Sequence, residues 1–419
     1  MNPLLLSHAD LSGGAARAAY RLHRALIRYG TASKMRVRIK KSDDWTVQAA
    51  AGRIGRLYGL LRSPLGGLSM RFQHSSNSNL RTGNWLPSAM ANEINLSSAD
   101  VVNMHWVAGE TLSIEDLGRI RKPLVWTLHD MWPFCGAEHY TPDNESARWR
   151  LGYSAGSRPA GDRGLDLDRL VWQRKRRAWK HPMHIVAPSR WLADCARESA
   201  LFRDWPVSVI PNVLDTDIYQ PLDKGFCRQA LGLPADRRII LFGAIGGARD
   251  PRKGYDLLQD ALARLATRVD AQNVLCVVFG QSAPQNPAAL PFPVRWMGHV
   301  HDDATLALLY NAADVMVVPS RQENLPQTAT EPQACGCPVV AFDCTGFSDA
   351  VEHRKTGYLA RPFDTEDMAE GLRWILEDAD LRHAQGQAAR ARALNLWAPE
   401  VVVPQYLRVY EAAIESTRG

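Results

Sequence analysis

The stretch Asp314-Val-Met-Val-Val318-Pro319-Ser320-Arg-Gln-Glu323-Asn324-Leu325-Pro326, continued by Gln-Thr-Ala-Thr-Glu331-Pro332-Gln-Ala-Cys-Gly336-Cys-Pro338-Val-Val340, decides how the chain is read. Val315 to Val318 is a short valine-rich run set between Asn/Ala/Asp and Pro/Ser, the pattern of a parallel strand buried on both faces. A loop follows, and then a helix that closes on Gly336 and Pro338. Ligands of an open α/β sheet sit outside the carboxyl ends of its strands, which makes the loop after Val318 a candidate site. Glu323 lies in that loop and Glu331 in the first turns of the helix. Both can face one crevice while the helix N-terminus offers N–H groups to an anion. Carboxylates for sugar hydroxyls beside donors for phosphate suit a nucleotide sugar. An arbitrary Glu pair is more often a solvated loop residue and a helix-dipole partner, so the weight rests on the surrounding sequence.

At 419 residues the chain exceeds one hydrophobic core and suits two α/β domains of roughly 200 residues each. With 46% hydrophobic and 22% charged residues it has an ordinary globular composition. No apolar run approaches the roughly 18 residues that span a bilayer, and Pro3-Leu-Leu-Leu6 is too short for the core of a signal peptide. The expected place is the cytoplasm. Seven cysteines without a C-x-x-C spacing suggest reduced core residues rather than a disulfide framework. The net charge of +6 would serve nucleic acid, an anionic membrane or a pyrophosphate donor alike, and does not choose among them.

Outward from the central stretch, the same alternation recurs. Leu4-Leu-Leu6-Ser-His8 is a strand, Asp10 to Gly14 a turn, and Ala15 to Tyr29 a helix, an arrangement in which backbone N–H groups can approach a phosphate or sugar. The turn lacks the full Gly-x-Gly-x-x-Gly fingerprint, which disfavours an NAD enzyme. Asp100 to Trp106 and Pro123 to Asp130 are two buried strands, ending at His105 and His129. The alternation restarts after Val213 with three strands that each meet glycine, at Gly243, Gly280 and Gly298, and Lys253 stands at a helix start beside glycine turns, a good place for a phosphate ligand. Arg53 to Phe72 is basic and amphipathic, interrupted by Pro64 and Gly66-Gly67, and Arg174 to Lys180 is a basic run flanked by Trp172 and Trp179. Each is read first as a helix of its own domain and second as a contact for an anionic membrane or acceptor. A terminal helix is expected to open at Pro404.

Glu323 and Glu331, followed by Ala334-Cys-Gly336-Cys-Pro338 and Thr345-Gly346-Phe-Ser-Asp349, resemble the donor-site signature of the retaining GT-B glycosyltransferases of family 4. Gly13-Gly14 resembles that family's amino-terminal loop, His129-Asp130-Met-Trp132-Pro-Phe134 its active-site turn, and Lys253-Gly254 its pyrophosphate-binding lysine. Three departures are visible. Pro332 replaces the usual alanine, so the helix should start late, near Thr328 to Thr330, or kink. Gly247 occupies the place of a phosphate-site arginine, for which Arg249 is the nearby substitute. No paired cysteines follow Cys135, so a metal knuckle is not expected there.

The resemblance implies an α/β fold of two Rossmann-like doubly wound domains with an interdomain cleft: residues 1–212 on the acceptor side, 213–393 binding the nucleotide sugar, and 394–419 a helix returning to the first domain. It implies a retaining transfer from a nucleotide-sugar donor to a glycan or lipid-linked acceptor, in bacterial polysaccharide biosynthesis. Catalytic roles fall to His129, Glu323 and Lys253. Donor binding falls to Gly13, Gly14, Arg249, Lys253, Glu323, Asn324, Leu325, Pro326 and Glu331. The three Asp-x-Asp matches are too short to argue for a metal, and neither metal, organic cofactor nor nucleic-acid partner is expected; peripheral contact at the inner membrane face is. A nucleotide-sugar 2-epimerase of the same architecture and a non-catalytic nucleotide-sugar-binding subunit are the alternatives.

Overall fold

A computed structural model describes residues 1–49, 52–243, 250–283, 290–300 and 302–418. The chain divides into two compact units, Met1–Asn212 with Val402–Gly419, and Val213–Val401.

In the first unit seven parallel strands lie in the order β3-β2-β1-β4-β5-β6-β7, where β1 is Pro3–Ala9, β2 Lys34–Ile39, β3 Val47–Gln48, β4 Val101–Met104, β5 Leu124–Thr127, β6 His184–Ala187 and β7 Val207–Val209. In the second unit six parallel strands lie in the order β10-β9-β8-β11-β12-β13, where β8 is Arg238–Gly243, β9 Val274–Phe279, β10 Val294–Trp296, β11 Val315–Val318, β12 Val339–Phe342 and β13 Gly357–Ala360. Both sheets are doubly wound: three strands are laid outward on one side of the first, and the chain then crosses to its other side. The order reverses between β1 and β4 in one unit and between β8 and β11 in the other, the positions where such sheets hold ligands. Central strands such as β9 and β11 are buried along their whole length. Their valine and leucine runs have no polar face because helices cover both sides of a parallel sheet.

Five helices matter below: α1 (Gly14–Arg28), α2 (Gly52–Met70), α3 (Leu167–Ala178), α4 (Gln327–Ala334) and α5 (Pro399–Arg418). Two of these, α5 and α2, differ from what the sequence led us to expect. Helix α5 opens at Pro399, so Pro404 lies inside it; Pro399 takes the early position where the missing N–H costs nothing. Helix α2 runs unbroken through Pro64 and both glycines, since a proline removes one intrahelical donor and tertiary contacts on either side hold the rest. Two members of the basic run on α3 are spent internally, while Arg176, Arg177 and Lys180 are exposed. Arg174 forks onto Glu115 at 2.6 and 2.8 Å and lies 4.2 Å from the centre of the Trp85 ring, while Lys175, Trp172 and Trp179 are buried. Arg174 and Lys175 thus serve the helix's own domain, as the first reading of that run expects.

Helix α5 is tied to the first sheet by buried hydroxyls. Asn103 on β4 donates its Nδ2 to Tyr410 Oη at 2.7 Å, and Thr127 on β5 lies 3.3 Å from Tyr406 Oη and donates to Asn103 Oδ1 at 3.1 Å. All four residues are buried, so deleting one partner strands another. Tyr410→Phe should therefore lower unfolding free energy by about 1–2 kcal/mol, read as a reduced urea midpoint at unchanged slope. An unchanged midpoint would show that the Asn103 amide finds water instead.

Candidate functional site

In the second unit the loops that leave β8 and β11 meet at the point where the strand order reverses. Gly254 closes the 3₁₀ turn Pro251–Lys253 in a left-handed conformation, φ +64°, and a Cβ there would lie 2.0 Å from the Pro319 carbonyl oxygen. Only glycine lets the two backbones come so near. The Arg321 amide donates to the Arg252 carbonyl at 2.7 Å, and its guanidinium donates to the Pro251 carbonyl and to Asp256. The loop after β12 closes from the third side: the Glu323 amide donates to Thr345 Oγ1 at 3.1 Å and the Gly346 amide to the Glu323 carbonyl at 3.0 Å.

This framework sets Lys253 Nζ 2.5 Å from Glu323 Oε1, both side chains partly exposed. The two residues that sequence reading assigned to the phosphate and the sugar are thus a single ion pair. Asn324, Leu325 and Pro326 follow, all buried, and lead into α4. That helix begins at Gln327, with Pro326 as its N-cap, no capping side chain and no acidic residue in its first turn. A positive helix end without a carboxylate on it favours an anion. Pro332 consequently sits inside α4 rather than in its first turn, a correction to the late start; the ring removes only the donor that the Thr328 carbonyl would have taken, and the helix ends two residues later.

Glu331, on the buried face of α4, accepts a 2.8 Å hydrogen bond from Tyr310 Oη. Burial, with the Glu331 carboxylate beside it, pushes the Tyr310 hydroxyl well above its ordinary range, so Tyr310 stays a donor and fixes how the carboxylate is turned. Tyr310 escaped sequence reading because nothing local marks it. Arg249 lies outside the described residues.

Gly13, Gly14 and His129 belong to the first unit. Gly13 caps α1 at φ +89° after β1, and a Cβ at either glycine would meet nothing within 4 Å. Just past the neighbouring strand β4 stands His105, whose Nδ1 lies 3.0 Å from Nε2 of His129, the rings stacked with centres 5.2 Å apart. Burial lowers His129 to about 4 against the opposing pull of Asp130, and burial together with His129 takes His105 well below its ordinary range. Both imidazoles are neutral at pH 7, so one proton lies between them.

Which ring carries that proton follows from the other nitrogen. His105 Nε2 is buried and without a hydrogen-bond partner among the described residues. Were it protonated, an N–H would be left unpaired; a bare acceptor there is the smaller penalty. His105 therefore donates from Nδ1, His129 accepts at Nε2, and His129 carries its own proton on Nδ1. Asp130 steadies the turn: it accepts from Trp106 Nε1 at 2.8 Å, from the Trp132 amide at 3.0 Å and pairs with His139 Nδ1 at 2.6 Å. Burial pushes its carboxyl up, but His139 and these donors outweigh that and hold it below the usual range.

Of the Asp-x-Asp matches, Asp166 and Asp378 cap helices, and Asp215 accepts from the Asp217 amide. Among the described residues no group of His, Cys, Asp and Glu is placed to hold a metal ion.

Residues 223–392 match the family model described as glycosyl transferases group 1, and residues 12–218 match that of glycosyltransferase family 4. The D-inositol 3-phosphate glycosyltransferase of Jonesia denitrificans is 35% identical over 329 residues, 74% of this chain and 71% of the relative. Several relatives of the same name are covered over only 49 to 60% of their length, so the chain spans about half the length of many curated relatives it matches. Among solved structures, sucrose-phosphate synthase from Thermosynechococcus elongatus superposes with a TM-score of 0.66 at 18% identity, covering 99% of this chain and 100% of the other. Anabaena HepE in complex with UDP-glucose superposes at 0.63 and 17%, covering 98% and 100%. At such identities the likeness speaks for the fold alone.

The tautomer argument is open to nitrogen-15 NMR of labelled histidines: both His105 and His129 should show a protonated Nδ1, unchanged from pH 8 to about 5. A protonated His129 Nε2 would reverse the assignment. The unfolded imidazole binds its proton near 6.5 and the folded His129 near 4, so fold stability should drop as pH falls through that window.

Proposed function

This chain belongs to the glycosyl transferases group 1 family, and on that premise we propose that it moves a sugar, with retention, from a nucleotide-sugar donor to a glycan or lipid-linked acceptor. The observation that carries the reading is the Lys253–Glu323 pair, 2.5 Å apart at the strand-order reversal of the second sheet. A cation at that position meets a pyrophosphate, and a carboxylate beside it meets sugar hydroxyls. The 2.5 Å pair serves the unliganded state; a phosphate oxygen competes for Nζ, which carries three donors, and releases Glu323 to the sugar.

In this reading Lys253 and the N-terminus of α4 balance the charge that grows on the leaving diphosphate. Glu331, oriented by Tyr310, accepts from the ribose hydroxyls; Glu323 and the backbone of Asn324, Leu325 and Pro326 hold the transferred sugar. Gly13 and Gly14 leave open backbone beside the donor, and His129 offers its Nδ1–H to the reacting sugar or acceptor. Retention needs no protein nucleophile when a leaving phosphate oxygen takes the acceptor hydroxyl's proton as the new glycosidic bond forms on the face the diphosphate leaves. The positive charge is assigned to Lys253, so the reading includes neither a resident metal nor an organic cofactor. The names of the relatives support sugar transfer, and the UDP-glucose bound to Anabaena HepE supports a nucleotide sugar as donor. Polysaccharide assembly at the inner face of a membrane completes the proposal.

Lys253→Ala should lower turnover more than donor affinity, because charge on the diphosphate rises toward the transition state. Glu331→Gln, which keeps an acceptor for Tyr310, should weaken donor binding by roughly 1.5–3 kcal/mol in calorimetry. Wild-type affinities with wild-type turnover in both variants would overturn the assignment. Release of a free isomerised sugar would instead identify an epimerase.

A further inference from the structure

Helix α2 is assembled inside out. Gly59, Arg62, Ser63, Gly66 and Met70 recur at helical spacing and form the face turned to the first unit. Arg62 is 1% exposed, and its guanidinium donates to the carbonyls of Leu86, Pro87 and Glu110. Ser63 Oγ donates to the Gly109 carbonyl at 2.6 Å, and a Cβ on Gly66 would fall 2.3 Å from Glu110 Oε1. The opposite face carries Leu57, Leu61, Leu65 and Leu68, with Phe72 just beyond the helix end, at spacings of four, four, three and four. All five are exposed, Leu57 by 58% and Phe72 by 64%. The helix cannot roll to bury them without stripping a buried guanidinium of its acceptors, a loss that unpaired charge makes severe. The leucines are held outward.

Five large apolar side chains exposed along one helix face mark a partner, and charge identifies which. From Trp45 to Asn92 there is no aspartate or glutamate; Arg62 is turned inward and Arg81 pairs with Asp168, which leaves Arg53 and Arg56 near the start of α2 and the exposed Arg71 just past its end. A symmetric pairing with a second copy would set these like charges against each other. Among the described residues no helix is long and apolar enough to cross a membrane, which leaves a helix lying on a surface. We propose that this face of α2 docks on an anionic lipid bilayer, the leucines and Phe72 entering the boundary between headgroups and acyl chains and the exposed Arg71 resting among the headgroups. The proposal rests on the membrane part of the reading above, and gives it a surface.

The test is flotation of the full chain with phosphatidylglycerol-containing and with neutral phosphatidylcholine vesicles, at low and high salt. Wild type should float with the anionic vesicles, less so in salt. A Leu61→Glu, Leu68→Glu double variant should lose roughly tenfold or more in partitioning, while Leu96→Glu, at another exposed leucine of the same unit, should float like wild type. Circular dichroism and thermal midpoints serve as controls of folding. A double variant that floats like wild type would overturn α2 as the docking face and leave the membrane reading standing. Failure of wild type to float with either vesicle would overturn both, leaving donor turnover to be judged by nucleotide release. Concentration-dependent self-association in sedimentation velocity, abolished by the double variant, would assign the face to a second copy and overturn the lipid.

Discussion

Two bare backbones, at Gly254 and Gly346, allow three loops of the second unit to close on one another. A Cβ at Gly346 would lie 1.2 Å from the Asn324 carbonyl oxygen, and one at Gly254 2.0 Å from that of Pro319. Everything above those contacts follows from them. Main-chain hydrogen bonds cross between the loops, and the side chains of Lys253 and Glu323 are delivered to one place. The ion pair itself does not hold the loops together: a partly exposed pair contributes about 0–1 kcal/mol. A site fixed by backbone contact can exchange its ion pair for an anionic ligand without losing its shape.

The sequence made legible what is local. Valine runs bounded by turn residues are strands, and the glycines that follow them mark where loops gather; the family signature then placed Lys253, Glu323 and Glu331 in one unit. What it could not show depends on distant partners. Tyr310 meets Glu331 across a gap of 21 residues, Arg321 ties a loop that begins some 70 residues earlier, and neither has a periodic or motif signature. Helix boundaries were missed for a related reason: Pro332, Pro404 and Pro64 all sit inside helices, where tertiary contacts outweigh the one hydrogen bond a proline removes.

Helix α2 shows the limit most plainly. Its apolar residues recur at helical spacing, which ordinarily identifies the core face. Here the periodicity is real and its meaning is inverted, because a single arginine reaches a set of backbone carbonyls that need donors. Composition cannot distinguish an amphipathic helix that buries its leucines from one that buries its guanidinium. Only the list of carbonyls waiting for Arg62 decides it.

The turn after His129 is held by a buried cation. Lys175 Nζ lies 3.8 Å from the centre of the Trp132 ring and donates to the carbonyls of Trp132, Cys135 and Gly136, the last two at 3.1 and 2.8 Å. Burial lowers its pKa to about 7, yet three carbonyls facing one nitrogen require three N–H donors, and only the ammonium form has them. The same turn leads to Glu138, which burial and the neighbouring Asp168 push up to about 8, so its carboxyl keeps its proton at pH 7 and adds no second charge against Asp168. One lysine from α3 thus gathers carbonyls that the loop could not satisfy itself, in a stretch where no paired cysteines are available to bind a metal. Because His129 and Asp130 begin this turn, the His129 ring is steadied from behind by a charge that no solvent reaches.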